Sequence, residues 1–165
     1  SNFEVVPARS QSAYEIALKL LARRDLSTTQ VRDRLEKRQF STHDIESAIA
    51  RLTNSQALDD TRAAISYARR SANVKLRGKR RTHQELLARG IDLSAANHAV
   101  AEVFDEVGET VVLERAIRKR LDGPVRSRAQ FRRLYQALLR QGFPPEEVAS
   151  ALISRSESNA SFMEE

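Results

Sequence analysis

Seven basic residues, Arg69, Arg70, Lys75, Arg77, Lys79, Arg80 and Arg81, follow one another with no acidic side chain among them. A second set, Arg118, Lys119, Arg120, Arg128, Arg132 and Arg133, lies some forty residues further on. Ammonium groups and planar guanidinium forks in such density match phosphate oxygens or clustered carboxylates. Each phosphate neutralised in this way adds about 0.9 to the salt slope of binding on duplex DNA, or about 0.7 on single strands. Other residue types with possible chemistry lack a supporting pattern. Asp59-Asp60 could serve a metal, but two carboxylates ahead of an apolar-periodic stretch read as a helix cap. His43, His83 and His98 lack the close spacing of a zinc site. No phosphate-cradling Gly-rich loop with Lys-Ser/Thr occurs, and no nucleophile elbow frames a serine. Tyr67, Phe131 and Tyr135 could stack on bases. At helical spacing they read as core, with Tyr67 the most suggestive because it precedes the basic run. No catalytic residue, metal site or cofactor is expected, so an enzyme is not the reading.

The elements that carry these residues repeat. Leu35 to Phe40, Leu86 to Ile91 and Leu138 to Phe143 each end one helix, turn, and open another, 51 and 52 residues apart. Five residues beyond the turn hydrophobe stand Ile45, Ala96 and Val148, followed by the apolar pairs Ala48/Ile49, Ala99/Val100 and Ala151/Leu152. Gly90 and Gly142 suit a left-handed helix C-cap, whereas Gln39 must adopt that conformation against its Cβ or the first turn must differ. A fifty-residue period written three times predicts an all-α fold of three tandem three-helix repeats, an elongated, curved array. The expected divisions are a flexible arm over 1–10, repeats over 11–58, 59–107 and 108–155, and a disordered tail over 156–165, the chain turning polar from Ser154. At usual helix spacings such an array would be on the order of 60–80 Å long, suited to an extended partner.

Composition agrees. The 165 residues are 41% hydrophobic with few aromatics, and Gly and Pro are scarce, which suits small helical units better than sheet. The absence of Cys removes disulfides and thiolate sites. No apolar run approaches the roughly 20 residues of a membrane span, and no signal-peptide pattern opens the chain. A cytoplasmic monomer is expected. A net charge of +6 and a pI near 10.1 predict attraction to polyanions.

Local signals place the helices. Ser27-Thr28-Thr29-Gln30 and Ser127-Arg128-Ala129-Gln130 spell capping boxes; Ser41 and Asp92 read as N-caps. Gly78 is expected to let the backbone turn inside the basic run, and Pro144-Pro145 to start the ninth helix, with Val148, Leu152 and Ile153 as its stripe. The turn between the second and third helices of each repeat resembles a helix-turn-helix, in which the recognition helix would be the third helix. Its opening residues, His43-Asp44-Ile45-Glu46, Ser94-Ala95-Ala96 and Pro145-Glu146-Glu147, are acidic or blank, which rejects base-edge reading there. Sequence-independent phosphate contact remains open.

Ala17 to Arg24 through Phe40, Leu58-Asp59-Asp60-Thr61-Arg62 with Tyr67-Ala68-Arg69-Arg70-Ser71, Gly78-Lys79-Arg80 with Gln84-Glu85-Leu86 and Arg89-Gly90-Ile91, and Arg133 to Phe143 stand in the order and spacing of one family. The chain resembles the RecX family of bacterial recombination regulators along almost its whole length. It departs at Ala63, where Phe is common, at Ala137, where a larger residue is usual, and at Gln39 and Gln141, which replace Gly and a basic residue. The resemblance implies a non-enzymatic regulator in DNA repair, the SOS response and homologous recombination. Such a protein binds the RecA filament on single-stranded DNA, and duplex DNA as a further possibility, and limits ATPase and strand exchange. Under this reading the thirteen basic residues named above contact DNA or acidic protein. The rival readings are a stand-alone nucleic-acid-binding helical protein, transcriptional or architectural, and a helical adaptor without a nucleic-acid role.

Overall fold

The computed structural model of the chain describes residues 11–156. The expected arm and all but the first residue of the expected tail lie outside the described residues. Among the described residues there are nine helices and no strand: α1 (Ala13–Arg23), α2 (Thr28–Lys37), α3 (Thr42–Asn54), α4 (Asp60–Asn73), α5 (Lys79–Ala88), α6 (Leu93–Val107), α7 (Glu109–Arg120), α8 (Arg128–Arg140) and α9 (Pro145–Ile153).

The three turns are the same motif. Phe40, Ile91 and Phe143 donate their amides to the carbonyls of Leu35, Leu86 and Leu138 at 3.3, 3.2 and 3.3 Å. Gln39, Gly90 and Gly142 donate to Glu36, Leu87 and Leu139 at 2.8, 3.0 and 2.9 Å. This pair of bonds, with positive φ at the intervening residue, closes a helix while satisfying its last carbonyls. The φ values are 64° at Gln39, 79° at Gly90 and 93° at Gly142. Gln39 therefore takes the left-handed conformation in spite of its side chain, and the first turn is not reshaped.

The chain forms two compact units, divided between Ala63 and Ala64. In the first, α1–α3 close over Ala17, Leu26, Val31, Leu35, Ile45 and Leu52. In the second, repeats two and three share a single core that runs from Ala64, Ala68 and Ala72 of α4 through Leu86, Val103 and Ile117 to Leu138 and Leu152. The three alanines recur every fourth residue and are fully buried, so one face of α4 is flat enough for close helix approach. Each large aliphatic side chain buried contributes about 1.5–3 kcal/mol. Ile153 departs from the expected α9 stripe: it is half exposed, and Val148 and Leu152 alone turn inward.

Caps set the helix starts. The Ser27–Gln30 box is reciprocal. The Ser127 box is only half made, because Gln130 Oε1 accepts from Arg126 N at 2.8 Å while Ser127 Oγ accepts from Gln130 N. Of the two carboxylates, Asp59 caps α4 by accepting from Arg62 N at 3.1 Å. Asp60 reaches back to α2, accepting from the amide and hydroxyl of Thr28 at 2.7 and 3.0 Å. The chain end differs from the expected loosening at Ser154. Val125 N donates to Arg155 O at 2.9 Å, Ser156 N donates to Ile153 O at 3.0 Å, and the Arg155 guanidinium pairs with Glu114. Through Arg155 the chain end is tied to α7 and to the α7–α8 loop.

Candidate nucleic-acid interface

The central basic run begins on the last turns of α4, crosses the loop before α5 and ends on the first turn of α5. The loop's bend lies at Leu76, whose φ is 54°. The sequence reading put it at Gly78, but Gly78 has an ordinary extended conformation. Its lack of a side chain serves close approach instead. A Cβ there would lie 2.5 Å from the carbonyl oxygen of Gly142, and Gly78 N donates to Gln141 O at 2.8 Å. Reciprocally, a Cβ on Gly142 would lie 2.4 Å from Arg81 N. The third turn is thus seated against the N-terminus of α5. Glu109, the first residue of α7, caps the same helix start by accepting from Lys79 N at 2.7 Å.

This packing divides the seven cations. Glu85, one turn beyond Arg81 on α5, accepts from Arg77 Nη1 at 2.6 Å and from Arg81 Nε at 2.8 Å, and the Tyr67 hydroxyl donates to it as well. The Tyr67 ring is covered by the Arg89 guanidinium at 3.9 Å and the Lys75 ammonium at 4.9 Å. Arg81 also donates to Gln141 Oε1 at 3.2 Å. Lys75, Arg77 and Arg81 are half-buried in this cluster. Burial, followed by the charges of Arg77, Arg89, Arg70 and Arg81, holds the Lys75 ammonium below its usual range. Burial pushes the Glu85 carboxyl up and the charge of Arg89 draws it back. With guanidinium donors at 2.6 and 2.8 Å, it is the carboxylate that fits the site. Arg69, Arg70, Lys79 and Arg80 stay exposed, Arg69 with a loose 3.9 Å pairing to Glu106. Tyr67, whose ring and hydroxyl are engaged within the fold, is not open to a base.

The second basic set is exposed throughout: Arg118, Lys119 and Arg120 end α7, and Arg128, Arg132 and Arg133 stand on α8. Phe131 and Tyr135 are packed against the shared core but only partly covered by it. Arg128, Phe131, Arg132, Tyr135 and Gln136 line an open groove of about 360 Å³. The histidines do not converge: His83 shares a hydrogen bond with Asn97 at 2.7 Å, and His98 lies 3.0 Å from Glu102. Among the described residues, no helix is long and apolar enough to cross a membrane.

Sequence reasoning missed Glu85 and Arg89. Glu85 was detectable, since a carboxylate four residues after Arg81 shares its helix face. Arg89 gave no such signal, because its partner is an aromatic ring from another helix.

Two family models match this chain, the first three-helix domain of RecX over residues 13–52 and the second over residues 59–100. The regulatory protein RecX of Thermotoga petrophila is 32% identical over 136 residues, covering 82% of this chain and 80% of that protein. That of Treponema pallidum is 30% identical over 152 residues, covering 90% and 88%. That of Geobacillus thermodenitrificans is 28% identical over 145 residues, and there the chain spans about half the relative's length, 53%. Two crystal structures share the fold. One of a regulatory protein RecX has a TM-score of 0.67 at 22% identity, over 86% of this chain and 70% of that one. One of RecX from Lactobacillus salivarius has a TM-score of 0.63 at 21% identity, over 86% and 92%. The tandem three-helix domains and the likeness over most of the length of the Thermotoga and Treponema proteins place this chain in the RecX family of regulatory proteins.

Proposed function

We propose that this chain binds the RecA filament on single-stranded DNA and restrains its ATPase and strand exchange, as a non-enzymatic regulator in the recombinational repair of a bacterial cytoplasm. Membership of a family of regulatory proteins supports the regulatory role, and the resemblance in the sequence supplies RecA as partner. The observation that carries the polyanion contact is the exposed cation set: Arg69, Arg70, Lys79 and Arg80 at the α4–α5 junction, with Arg118, Lys119, Arg120, Arg128, Arg132 and Arg133 on α7 and α8. Arg77, Arg81 and Lys75 have a different part in this reading. Engaged with Glu85 and Tyr67, they hold the loop that presents their neighbours. The protein acts as a monomer, with successive repeats, over 11–58, 59–107 and 108–155, meeting successive protomers of the filament.

The test is a titration of the chain into RecA hydrolysing ATP on single-stranded DNA. The expected result is a fall in hydrolysis at protein concentrations below those that saturate naked DNA. An unchanged rate across the titration would refute the proposal. Strong preference for one duplex sequence in a gel shift would favour a stand-alone DNA-binding protein instead.

A further inference from the structure

The face of α8 combines two features that differ from the rest of the basic surface. The Phe131 and Tyr135 rings lie within 10° of parallel, their centroids 6.1 Å apart. A planar group laid along one ring is therefore aligned with the other. Arg128 and Arg132, four residues apart, share the groove with these rings, and among the described residues no acidic one lines it. Its volume, about 360 Å³, falls in the lower range of small-molecule clefts, enough for a planar heterocycle. Gln136 adds an amide that can donate to and accept from a base edge. By contrast, the Tyr67 ring already lies beneath two cations of its own fold. Open aromatic faces flanked by arginine are what sequence-tolerant single-strand sites use: the rings stack on bases while the cations take the adjoining phosphates.

We infer that the α8 groove is a base-stacking subsite for single-stranded nucleic acid, with Phe131 and Tyr135 as the platform and Arg128 and Arg132 as the phosphate contacts. A duplex, whose bases are already stacked and paired, offers this groove only phosphates. The inference builds on the polyanion-binding reading above, yet its test needs no RecA.

The test compares binding of the full chain to a labelled oligothymidylate about twenty nucleotides long and to an abasic oligonucleotide of the same length and charge. The parent is expected to prefer the base-bearing strand by on the order of tenfold. Phe131→Leu and Tyr135→Leu keep apolar volume against the core but remove the π face. They should erase that preference and leave the salt slope unchanged, and circular dichroism should confirm an intact fold. Arg128→Gln with Arg132→Gln should weaken both ligands alike and lower the salt slope by about 1.4. If the leucine variants keep the parent's preference, or if the parent shows none, the groove is not a base site. Equal affinity for an acidic peptide of matched charge would assign the groove to protein and overturn the inference. A failed RecA titration together with an intact preference for bases would sink only the filament reading.

Discussion

Glu85 holds together the residues that the basic run leaves inside the fold. It accepts from Arg77, Arg81 and Tyr67, and its removal takes an acceptor from two half-buried guanidinium groups, of which Arg81 keeps its bond to Gln141. Leaving such donors without their acceptor costs about 1–3 kcal/mol, so Glu85→Ala should lower unfolding stability by that amount in urea titrations. It should also loosen the α4–α5 loop that leads into Lys79 and Arg80. Gln39 is the converse case, an exposed residue at φ 64° where glycine would be unstrained. Gln39→Gly should stabilise the protein by about 1 kcal/mol, read as a higher urea midpoint at unchanged slope. The sequence pattern led straight to the basic run and to the strain at Gln39, because both depend on residues adjacent in the chain. The turning-in of Arg77 away from Lys79 and Arg80 was hidden, because the loop before α5 bends at Leu76, a residue type that ordinarily avoids positive φ.

At the scale of elements, the start of α5 depends on what lies against it. Ala at Gly78 or Gly142 would place a Cβ 2.5 or 2.4 Å from backbone atoms of the other segment. Either substitution should destabilise by about 3 kcal/mol or more, through overpacking and, at Gly142, backbone strain as well. Gly90→Ala, at the equivalent turn of repeat two, should lose only about 1 kcal/mol; thermal melts of the three variants give the comparison. Glu109 supplies a pH signature. Burial pushes its carboxyl above the ordinary value of 4.5, with the Lys79 amide and charge drawing it partly back. The folded chain therefore holds this proton more tightly than the unfolded one. The site's contribution to stability is complete below the unfolded value and is lost as pH rises through the folded one. Glu109→Gln, which keeps an acceptor for Lys79 N, should match the parent below the ordinary carboxyl value of 4.5 and be the more stable of the two as pH rises above it. Urea unfolding of both proteins below and above that value decides this. Helix starts were the most legible part of the fold, since Ser27, Ser41 and Asp92 cap within their own next turn. The errors came where caps are shared across the chain. Asp60 serves α2 and Glu109 serves α5; a local departure is the Gln130 side chain, which turns to Arg126 instead of Ser127.

For the whole molecule, three written repeats become two cores. The one below Ala63 is the smaller, and the one above it is shared by six helices. Small cores bury a lesser fraction of their surface, so amides of α2 and α3 should exchange hydrogen faster than those of α6 and α8 under native conditions. Equal protection in both units would contradict this. The exposed cations should behave as a set. On the proposed function, Arg70, Lys79 and Arg80 all changed to Glu should weaken restraint of the RecA ATPase by about tenfold or more while shifting stability by no more than about 0.5 kcal/mol each. The triplicated turn was fully legible as a sequence period, whereas the merging of the second and third repeats was not, because the two glycines that allow it are 64 positions apart. That join limits how this lineage could shorten itself. Excising residues 108–165 as a cassette would not leave an intact two-module protein behind. The Gly78 amide would lose its acceptor and Lys79 its cap in the same stroke, so the middle and final modules must be inherited, transplanted or discarded as one piece.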